Sequence, residues 1–363
     1  MTWLVVMSLL ALIIVALVLI LTIRAFKQRQ KAKLAAIDSS NGIDEGRFIK
    51  IGGVDQWITI RGQDRSNPVL LILDGGPGFA DSPSIPSSLE NKFTIVCWDQ
   101  PGAGRTFGRA RRTLKPGLSV DTMAEDGIAI STYIRSQLQQ GKIGILAYSF
   151  GTAIGIQMVK KEPTYFYTYV GAGQMVNMQR AEVLNYAHVI AKAQEEGNHR
   201  AIRELQKSGS PPYTSQAAFR TQRKWAANYE NDAPHPGMLA LSTLVAPRYS
   251  LMDVFNWFSG FIASQNYFFG KKMDGPAMAI DLLATSLDFE VPIFVFQGTE
   301  DDYTPYELAA EYVDRIRAPE KLLVTIEGAG HLASVSHLHV LEQFLFDHVR
   351  PLGAARQLSA HLQ

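Results

Sequence analysis

The amino-acid sequence predicts an α/β fold, in which a mostly parallel sheet flanked by helices is interrupted by a helical insertion and preceded by one transmembrane helix. Three observations predict this architecture. Short apolar runs of strand length alternate with helical segments before residue 175 and after residue 288, the stretch between them has helical spacing only, and residues 2–23 carry no charge. Continuous apolar runs suit strands that are covered on both faces, and the order strand, helix, strand implies parallel pairing.

The composition is that of a folded protein with no electrostatic attraction to nucleic acid. Of the 363 residues, 47% are hydrophobic and 19% charged, and 35 Lys and Arg against 34 Asp and Glu give a formal net charge of +1. So apolar a chain can bury enough surface to offset the entropy of ordering, and its near-neutral charge provides no long-range field for an acidic polymer. Cys97 is the only cysteine, which excludes an intrachain disulfide and a metal site built from several cysteines.

Residues 1–23 are predicted to be a transmembrane anchor. At about 1.5 Å per residue, the uncharged run 2–23 is long enough as a helix to cross the roughly 30 Å hydrocarbon layer of a bilayer. The competing interpretation is a cleaved signal peptide, which would carry basic residues before its apolar core. Here the basic residues follow the apolar run, at Arg24, Lys27, Arg29, Lys31 and Lys33. The positive-inside rule therefore predicts that the bulk of the protein lies in the cytoplasm, with the lipid bilayer as its partner at the anchor.

The first part of the α/β core is predicted over residues 46–174, after a basic juxtamembrane linker at residues 24–45. It begins with a hairpin over residues 48–60, where extended segments flank Gly52 and Gly53. Buried strands are then predicted at residues 69–73, 93–98 and 143–147, and a helix at residues 120–138.

A helical cap is predicted over residues 175–288, where the core is interrupted, and the second part of the core over residues 289–363. Pro-Pro-Tyr and His-Pro-Gly sequences separate the cap helices. These helices are predicted at residues 181–195, 201–207, 217–229 and 251–268. The core then resumes with a strand at 291–296, a helix at 306–316, a strand at 322–326 and a helix at 337–349.

The strongest local motif is Ala147-Tyr-Ser149-Phe-Gly151, which lies directly between a predicted strand and a predicted helix. A sharp turn in this context exposes a serine hydroxyl above the sheet, and small residues two positions to either side allow the backbone to close. The first small residue is Ala147, where glycine is usual. The motif predicts Ser149 as a nucleophile.

A serine nucleophile needs a base, and the base needs an acid that orients it. Asp301 follows the first strand of the second part of the core, and His331 follows the strand at 322–326. Both therefore lie at the carboxyl ends of strands, where open α/β sheets place their sites. Taken singly, Asp301 also suits a cap for the helix near Pro305, and His331 suits a surface loop. The chain order Ser149, Asp301, His331 favours a catalytic triad.

Acyl transfer also needs donors aimed at the oxyanion that develops on the substrate. The glycine-rich turn Asp74-Gly-Gly-Pro-Gly78 follows the strand at 69–73. One backbone N–H is predicted to come from Gly76 or Gly75, and the other from Phe150. The alternative interpretation of this turn is an ordinary Gly/Pro loop.

Taken together, these motifs resemble the α/β-hydrolase fold and, more narrowly, the proline iminopeptidase (prolyl aminopeptidase) group. The likeness covers about residues 48–350 and includes Trp98-Asp-Gln-Pro-Gly-Ala-Gly104 and Gly328-Ala-Gly-His331. It implies hydrolysis of a small molecule or short peptide through an acyl-enzyme, with the insertion as a cap over the site. It implies no metal and no cofactor.

Three positions depart from the pattern of that group. Asp74 stands where the group has histidine, Pro101 where it has arginine, and Ala147-Tyr-Ser-Phe where it has Gly-Gly-Ser-Trp. None of them removes a member of the triad. A charged carboxylate at Asp74 would oppose an anion that develops beside it.

The cap is expected to select the substrate. An aminopeptidase needs carboxylates for the substrate ammonium group, and Glu204, Glu230 and Asp232 are available; the aromatic-rich segment around Trp257 either lines the pocket or packs the cap onto the core. The predicted function is a membrane-anchored aminopeptidase or amidase. The alternatives are an esterase or lipase that acts on membrane-derived acyl substrates and a catalytically silent anchored binding protein.

Overall fold

In the computed structural model, which describes residues 2–80, 88–230 and 236–354, eight strands form a single sheet. The strands are β1 (Ile43–Ile51), β2 (Val54–Gly62), β3 (Val69–Leu73), β4 (Thr94–Asp99), β5 (Ile143–Tyr148), β6 (Phe166–Ala172), β7 (Ile293–Gly298) and β8 (Lys321–Ile326). Their order in the sheet is β1-β2-β4-β3-β5-β6-β7-β8. The hairpin β1–β2 and the pair β2–β4 are antiparallel, and all the other pairs are parallel.

Helices cover this sheet and fill the insertion. They are α1 (Thr2–Leu34), α2 (Gly104–Arg109), α3 (Val120–Gln137), α4 (Phe150–Lys161), α5 (Met178–Glu195), α6 (His199–Ser208), α7 (Gln216–Tyr229), α8 (Pro236–Leu244), α9 (Leu251–Phe269), α10 (Leu282–Thr285), α11 (Tyr306–Arg315), α12 (Ala333–Ser336) and α13 (Leu338–Phe344). A π-helical turn, Leu345–Val349, continues α13, and 3₁₀ turns occur at Leu89–Asn91, Pro163–Tyr165 and Pro276–Ala279.

Both faces of the central strands are buried. Leu71 and Ile145 belong to the cluster that includes residues of α3 and α4, whereas their neighbours Leu70 and Leu146 belong to the cluster that includes residues of α13. Successive side chains of a strand point to opposite faces, so a sheet between two helical layers needs apolar residues at every position. This confirms the predicted α/β class with a mostly parallel sheet flanked by helices.

The helices α5 to α9 lie between β6 and β7 in the chain, inside the predicted insertion. Local capping fixes where several of them start. Asn177 accepts a hydrogen bond from the Arg180 N–H at the start of α5, and Ser250 and Asp253 form a reciprocal capping box at the start of α9. Each such cap satisfies backbone N–H groups that have no partner within the helix.

Several elements differ from the sequence prediction, among them the helices α8 and α10, which lie within the predicted insertion but were not predicted. The strand β6 was not predicted, because Thr168 and Gly171 interrupt its apolar run. The short helix α2, which begins at Gly104, was not predicted either; the Asp99 carboxylate accepts a hydrogen bond from the Arg105 N–H at its start, 2.7 Å away. The helix α1 runs on to Leu34, into the predicted linker, because Ala, Lys, Gln and Arg are strong helix formers.

The helix α1 is long and apolar enough to cross a membrane. Its apolar segment has a mean hydropathy of 3.2, and none of it is buried against the rest of the protein. A signal sequence near the N-terminus can pass the same test of length and hydropathy. The finding therefore supports a candidate span.

We expect Ile145→Ala to lower the free energy of unfolding by about 2–5 kcal/mol, because the cavity would open in the middle of the sheet, where Ile145 is fully buried. Denaturant unfolding of the detergent-solubilised protein measures it. The control Val335→Ala truncates a side chain that is 60% exposed and should change the value by less than about 0.5 kcal/mol. Equal effects of the two substitutions would contradict the described packing.

Candidate active site

Ser149 occupies the sharp turn between β5 and α4. Its backbone has φ +48° and ψ −118°, a conformation that residues other than glycine rarely adopt. Two glycines allow this turn to fit. A Cβ on Gly151 would lie 2.3 Å from the Leu73 carbonyl oxygen, and a Cβ on Gly75 would lie 2.8 Å from the Ser149 Cβ. The turn after β3 therefore packs directly against the serine.

His331 and Asp301 meet Ser149 at the carboxyl end of the sheet. The Ser149 Oγ lies 3.0 Å from the His331 Nε2, and the His331 Nδ1 lies 2.9 Å from the Asp301 Oδ2 and 3.1 Å from its Oδ1. Ser149 follows β5, Asp301 follows β7 and His331 follows β8. The ends of these strands bring together positions as far as 182 residues apart in the chain. The structure thus assembles the three side chains that the sequence predicts as a triad.

Asp301 is 2% exposed, and donors surround its carboxylate. Oδ1 accepts hydrogen bonds from the backbone N–H groups of Tyr303, at 2.8 Å, and Thr304, at 2.7 Å. Oδ2 accepts from the Thr304 hydroxyl at 2.7 Å and from the Gln297 amide at 2.8 Å. These hydrogen bonds lie in the turn before α11. The N-cap residue of that helix is Pro305 and not Asp301. Buried charge is tolerated where it is hydrogen-bonded in this way.

The pKa values of the acid and the base move in opposite directions. Burial alone would raise the pKa of Asp301, but the positive charge of His331 and the hydrogen bonds to the carboxylate hold it below its ordinary value. Burial alone would lower the pKa of His331, but the Asp301 carboxylate, with a smaller effect from Glu230, raises it above its ordinary value. The imidazole is therefore a stronger base than a free histidine, and the carboxylate stays ionised.

Sequence reasoning missed three residues around this pair. Gln297 and Thr304 hold the carboxylate of Asp301, and the ring of Tyr303 stacks on the ring of His331 with centroids 4.9 Å apart. Their signal was proximity in sequence, since each lies within four residues of Asp301. Nothing in the pattern distinguished them from ordinary turn residues.

The residues predicted as oxyanion donors flank the serine. Gly75 lies against its Cβ, Gly76 has φ +112°, and Phe150 begins α4, where backbone N–H groups have no partner within the helix. Asp74 is buried at the end of β3, and the Gln100 amide donates to its backbone carbonyl over 3.1 Å.

Of the predicted cap candidates that the structure describes, Glu230 is the one whose charge acts on His331. It is buried, its Oε1 accepts a hydrogen bond from the Asp302 N–H over 3.2 Å, and its charge raises the pKa of His331. Glu204 lies elsewhere in the cap, where Lys224, at 2.6 Å, and Arg200, at 3.0 Å, hold its carboxylate and lower its pKa to about 2. The third carboxylate, Asp232, lies outside the described residues.

Trp257 packs the cap onto the core. It is 3% exposed, its Nε1 donates to the Ala80 carbonyl over 3.0 Å, and its ring lies 5.3 Å from that of Phe79. Trp257 therefore supports the turn after β3 from above. Among the described residues, no group of three or more His, Cys, Asp or Glu is placed to hold a metal ion.

Comparisons with known proteins agree with the fold described above. The family model that is described as alpha/beta hydrolase fold matches residues 68–338. A protein described as probable aminopeptidase YbaC, of Bacillus subtilis (strain 168), is 24% identical over 322 residues, which cover 83% of this chain and 95% of that protein.

Solved structures with a similar fold include a proline iminopeptidase and a membrane phospholipase. The proline iminopeptidase of Mycobacterium smegmatis has a TM-score of 0.62 at 16% identity, over 86% of this chain and 100% of its own. The membrane phospholipase A, described as a bacterial virulence factor, has a TM-score of 0.60 at 15% identity, over 96% of this chain and 98% of its own.

We expect covalent labelling of Ser149 by a fluorophosphonate to slow as the pH falls through the raised pKa of His331, because a protonated imidazole accepts no proton from the serine. The midpoint should lie above about 6.5, the value of a free histidine. Asp301→Asn removes the charge that raises this pKa and leaves the burial that lowers it, so the midpoint should move to lower pH. The labelling rate should also drop on the order of 10⁴-fold, because the imidazole loses its orientation. Measurement of labelling rate against pH checks both; an unchanged midpoint in the variant would contradict the assigned coupling.

Proposed function

Because the chain belongs to the α/β-hydrolase fold family, we propose that it is a membrane-anchored serine hydrolase that uses Ser149, His331 and Asp301 as its catalytic triad. One observation carries the proposal. The serine Oγ lies 3.0 Å from the imidazole Nε2, and the imidazole Nδ1 lies 2.9 Å from a buried, charged carboxylate. A hydrolase of this fold with that geometry has an activated nucleophile.

In the proposed reaction, the Ser149 Oγ attacks the carbonyl carbon of the substrate while its proton passes to the His331 Nε2. Asp301 holds the proton on the His331 Nδ1 and stabilises the imidazolium. The substrate oxygen becomes an oxyanion that accepts hydrogen bonds from the backbone N–H groups of Phe150 and of Gly75 or Gly76. His331 then gives its proton to the leaving group, and the carbonyl reforms as an acyl-enzyme. Water, deprotonated by His331, releases the acid and restores the serine.

We propose an amino-terminal peptide or amide as the substrate, with Glu230 as the group that receives its ammonium. Glu230 is a buried carboxylate, and its charge acts on His331, as that of a group beside the reacting bond would. A buried carboxylate strongly favours a cation next to it. The relative described as a probable aminopeptidase and the proline iminopeptidase of similar fold support this substrate class.

An esterase or lipase is the second candidate. The membrane phospholipase A of similar fold covers 96% of the chain, and the uncovered share is smaller than α1, so the likeness extends into this helix. A site close to a bilayer meets acyl substrates at high local concentration. This candidate uses the same triad and differs only in what the cap admits.

We further propose that α1 anchors the enzyme in a membrane with the catalytic part on the cytoplasmic side. Support comes from the uncharged run that ends at Ile23 and from the basic residues that follow it. Basic residues next to a span favour the cytoplasmic side.

We expect a fluorophosphonate probe to label the detergent-solubilised protein, and Ser149→Ala to abolish the labelling. The matched control is Ser136→Ala, which removes an exposed hydroxyl on α3 and should label like the wild type. Hydrolysis by Ser149→Ala should fall by on the order of 10⁴-fold or more. A folded wild type that does not label would overturn the triad and favour the catalytically silent binding protein, with the Asp74 carboxyl beside the oxyanion turn as its cause.

We expect Glu230→Gln to distinguish the two substrate classes. It should raise KM for proline β-naphthylamide by about tenfold or more, because a charge-assisted contact to the substrate ammonium is lost. Hydrolysis of p-nitrophenyl butyrate, which has no ammonium, should change little. Glu204→Gln, whose partners all lie within the cap, is the control for a general effect of charge. Equal losses on both substrates would remove Glu230 from substrate recognition, and activity on the ester alone would favour the second candidate.

A further inference from the structure

The cap helix α9 carries an exposed apolar stripe on its outer side. Leu251, Phe255 and Ile262 are each more than half exposed, at 51%, 54% and 56%. Their spacing of four and seven residues places them on one face of a helix, and Met252, 55% exposed, adjoins them. We call these four residues the α9 outer face. Exposed apolar residues grouped in this way mark an interaction surface.

Contacts on the opposite side of α9 fix the direction of the outer face. Trp257 donates to the Ala80 carbonyl, the ring of Phe261 lies 4.6 Å from that of Phe79, and the Gln265 amide donates to the Pro77 carbonyl over 3.2 Å. This inner side of α9 packs against the turn after β3, and the same turn also contacts Ser149. The helix therefore cannot roll to bury its outer face without releasing that turn.

Two arginines lie beside the α9 outer face. Arg111 and Arg112 are exposed and have φ values of +54° and +58°, a backbone conformation that costs energy in residues other than glycine. The Arg112 guanidinium lies 5.1 Å from the centre of the Phe255 ring, and its Nη2 lies 2.9 Å from the Met252 Sδ. The surface thus combines apolar side chains with positive charge.

The segment of the cap that directly precedes α9 is hydrogen-bonded to α1. The Arg24 guanidinium donates to the carbonyls of Leu244, at 2.9 Å, and Tyr249, at 2.5 Å, and the Gln28 amide donates to the Ala246 carbonyl at 2.7 Å. Arg24 directly follows the apolar run, so it marks the level at which α1 leaves the hydrocarbon layer. The helix α9 begins two residues after Tyr249, and therefore begins at that level.

From these contacts we infer that the α9 outer face lies in the surface of the same bilayer that α1 crosses, with anionic lipid headgroups against Arg111 and Arg112. The inference rests on the proposed membrane anchoring. A helix with an apolar face and flanking basic residues binds the boundary between headgroups and acyl chains, and anionic lipids attract the arginines. The cap then has two contacts with the membrane, one through α1 and one through α9.

Site-specific fluorescence in proteoliposomes tests the inference with the full-length chain. The native Cys97 is buried, so cysteines placed by Phe255→Cys and Ile262→Cys can be labelled selectively with a polarity-sensitive dye. The vesicles contain phosphatidylcholine and phosphatidylglycerol, with or without a mixture of two nitroxide lipids, one quenching near the headgroup, where α9 would lie, and one deep in the acyl chain, where Leu12 would lie. Val335→Cys, exposed at the other end of the sheet beside β7, is the matched control, and Leu12→Cys reports on α1 itself.

We expect the nitroxide lipids to quench the dyes at 255 and 262 at least about twofold more than the dye at 335, because interfacial helices insert about 5–10 Å into the headgroup region. Quenching at 12 with none at 255 and 262 would overturn the inference and leave the anchor in place. Absence of quenching at 12 would overturn the anchor and, with it, the inference. A further outcome is that the emission of the dyes at 255 and 262 shifts to the blue only at high protein density, without quenching by the nitroxide lipids. That result would assign the α9 outer face to a second copy of the chain and overturn the bilayer as its partner.

A functional measurement makes the test independent of labelling. The double substitution Phe255→Asp and Ile262→Asp should lower hydrolysis of an ester embedded in anionic vesicles by about tenfold, because charge on an interfacial face opposes insertion. Hydrolysis of a water-soluble ester by the same variant should stay at the wild-type level, which also shows that it is folded. Equal rates on the embedded ester for variant and wild type would contradict the inference.

Discussion

The site depends on one ion held inside the protein, the carboxylate of Asp301. It is buried at the end of β7, and the Gln297 amide, two backbone N–H groups and the Thr304 hydroxyl replace the water it has lost. These donors keep it charged, and its charge in turn raises the pKa of His331 and orients the imidazole toward Ser149. The parallel sheet serves this arrangement, since it brings the ends of β5, β7 and β8 to one edge.

The cap completes the site from above and is itself fixed by the core. Trp257 on α9 packs against the turn after β3, and Glu230, at the end of α7, accepts a hydrogen bond from the N–H of Asp302, the residue after Asp301. Through these contacts, the inserted helices touch both the turn beside Ser149 and the turn that holds Asp301. A change in the position of the cap would therefore reach the oxyanion turn and the acid turn together.

Much of the fold and the triad was predictable from the sequence, because their signals are local. The hairpin around Gly52 and Gly53, the continuous apolar strands and the serine turn each carry their own pattern. The strand β6 lacked one, and the helical extension of α1 had the composition of a linker. The neighbours of Asp301 lie close to it in the chain but have the sequence of an ordinary turn. Which of Glu230 and Glu204 lies near His331 depends on how distant segments pack, which one sequence does not encode as a pattern.

The order of the strands along the chain also sets when the triad around Ser149 can form during synthesis. Ser149 leaves the ribosome early, but its acid and base follow β7 and β8, the last two strands of the sheet. A nascent or truncated chain that ends before His331 contains the serine without its base, and a serine hydroxyl alone is a weak nucleophile. Any hydrolysis that uses this triad can therefore begin only after β8 and the turn that carries His331 have joined the sheet.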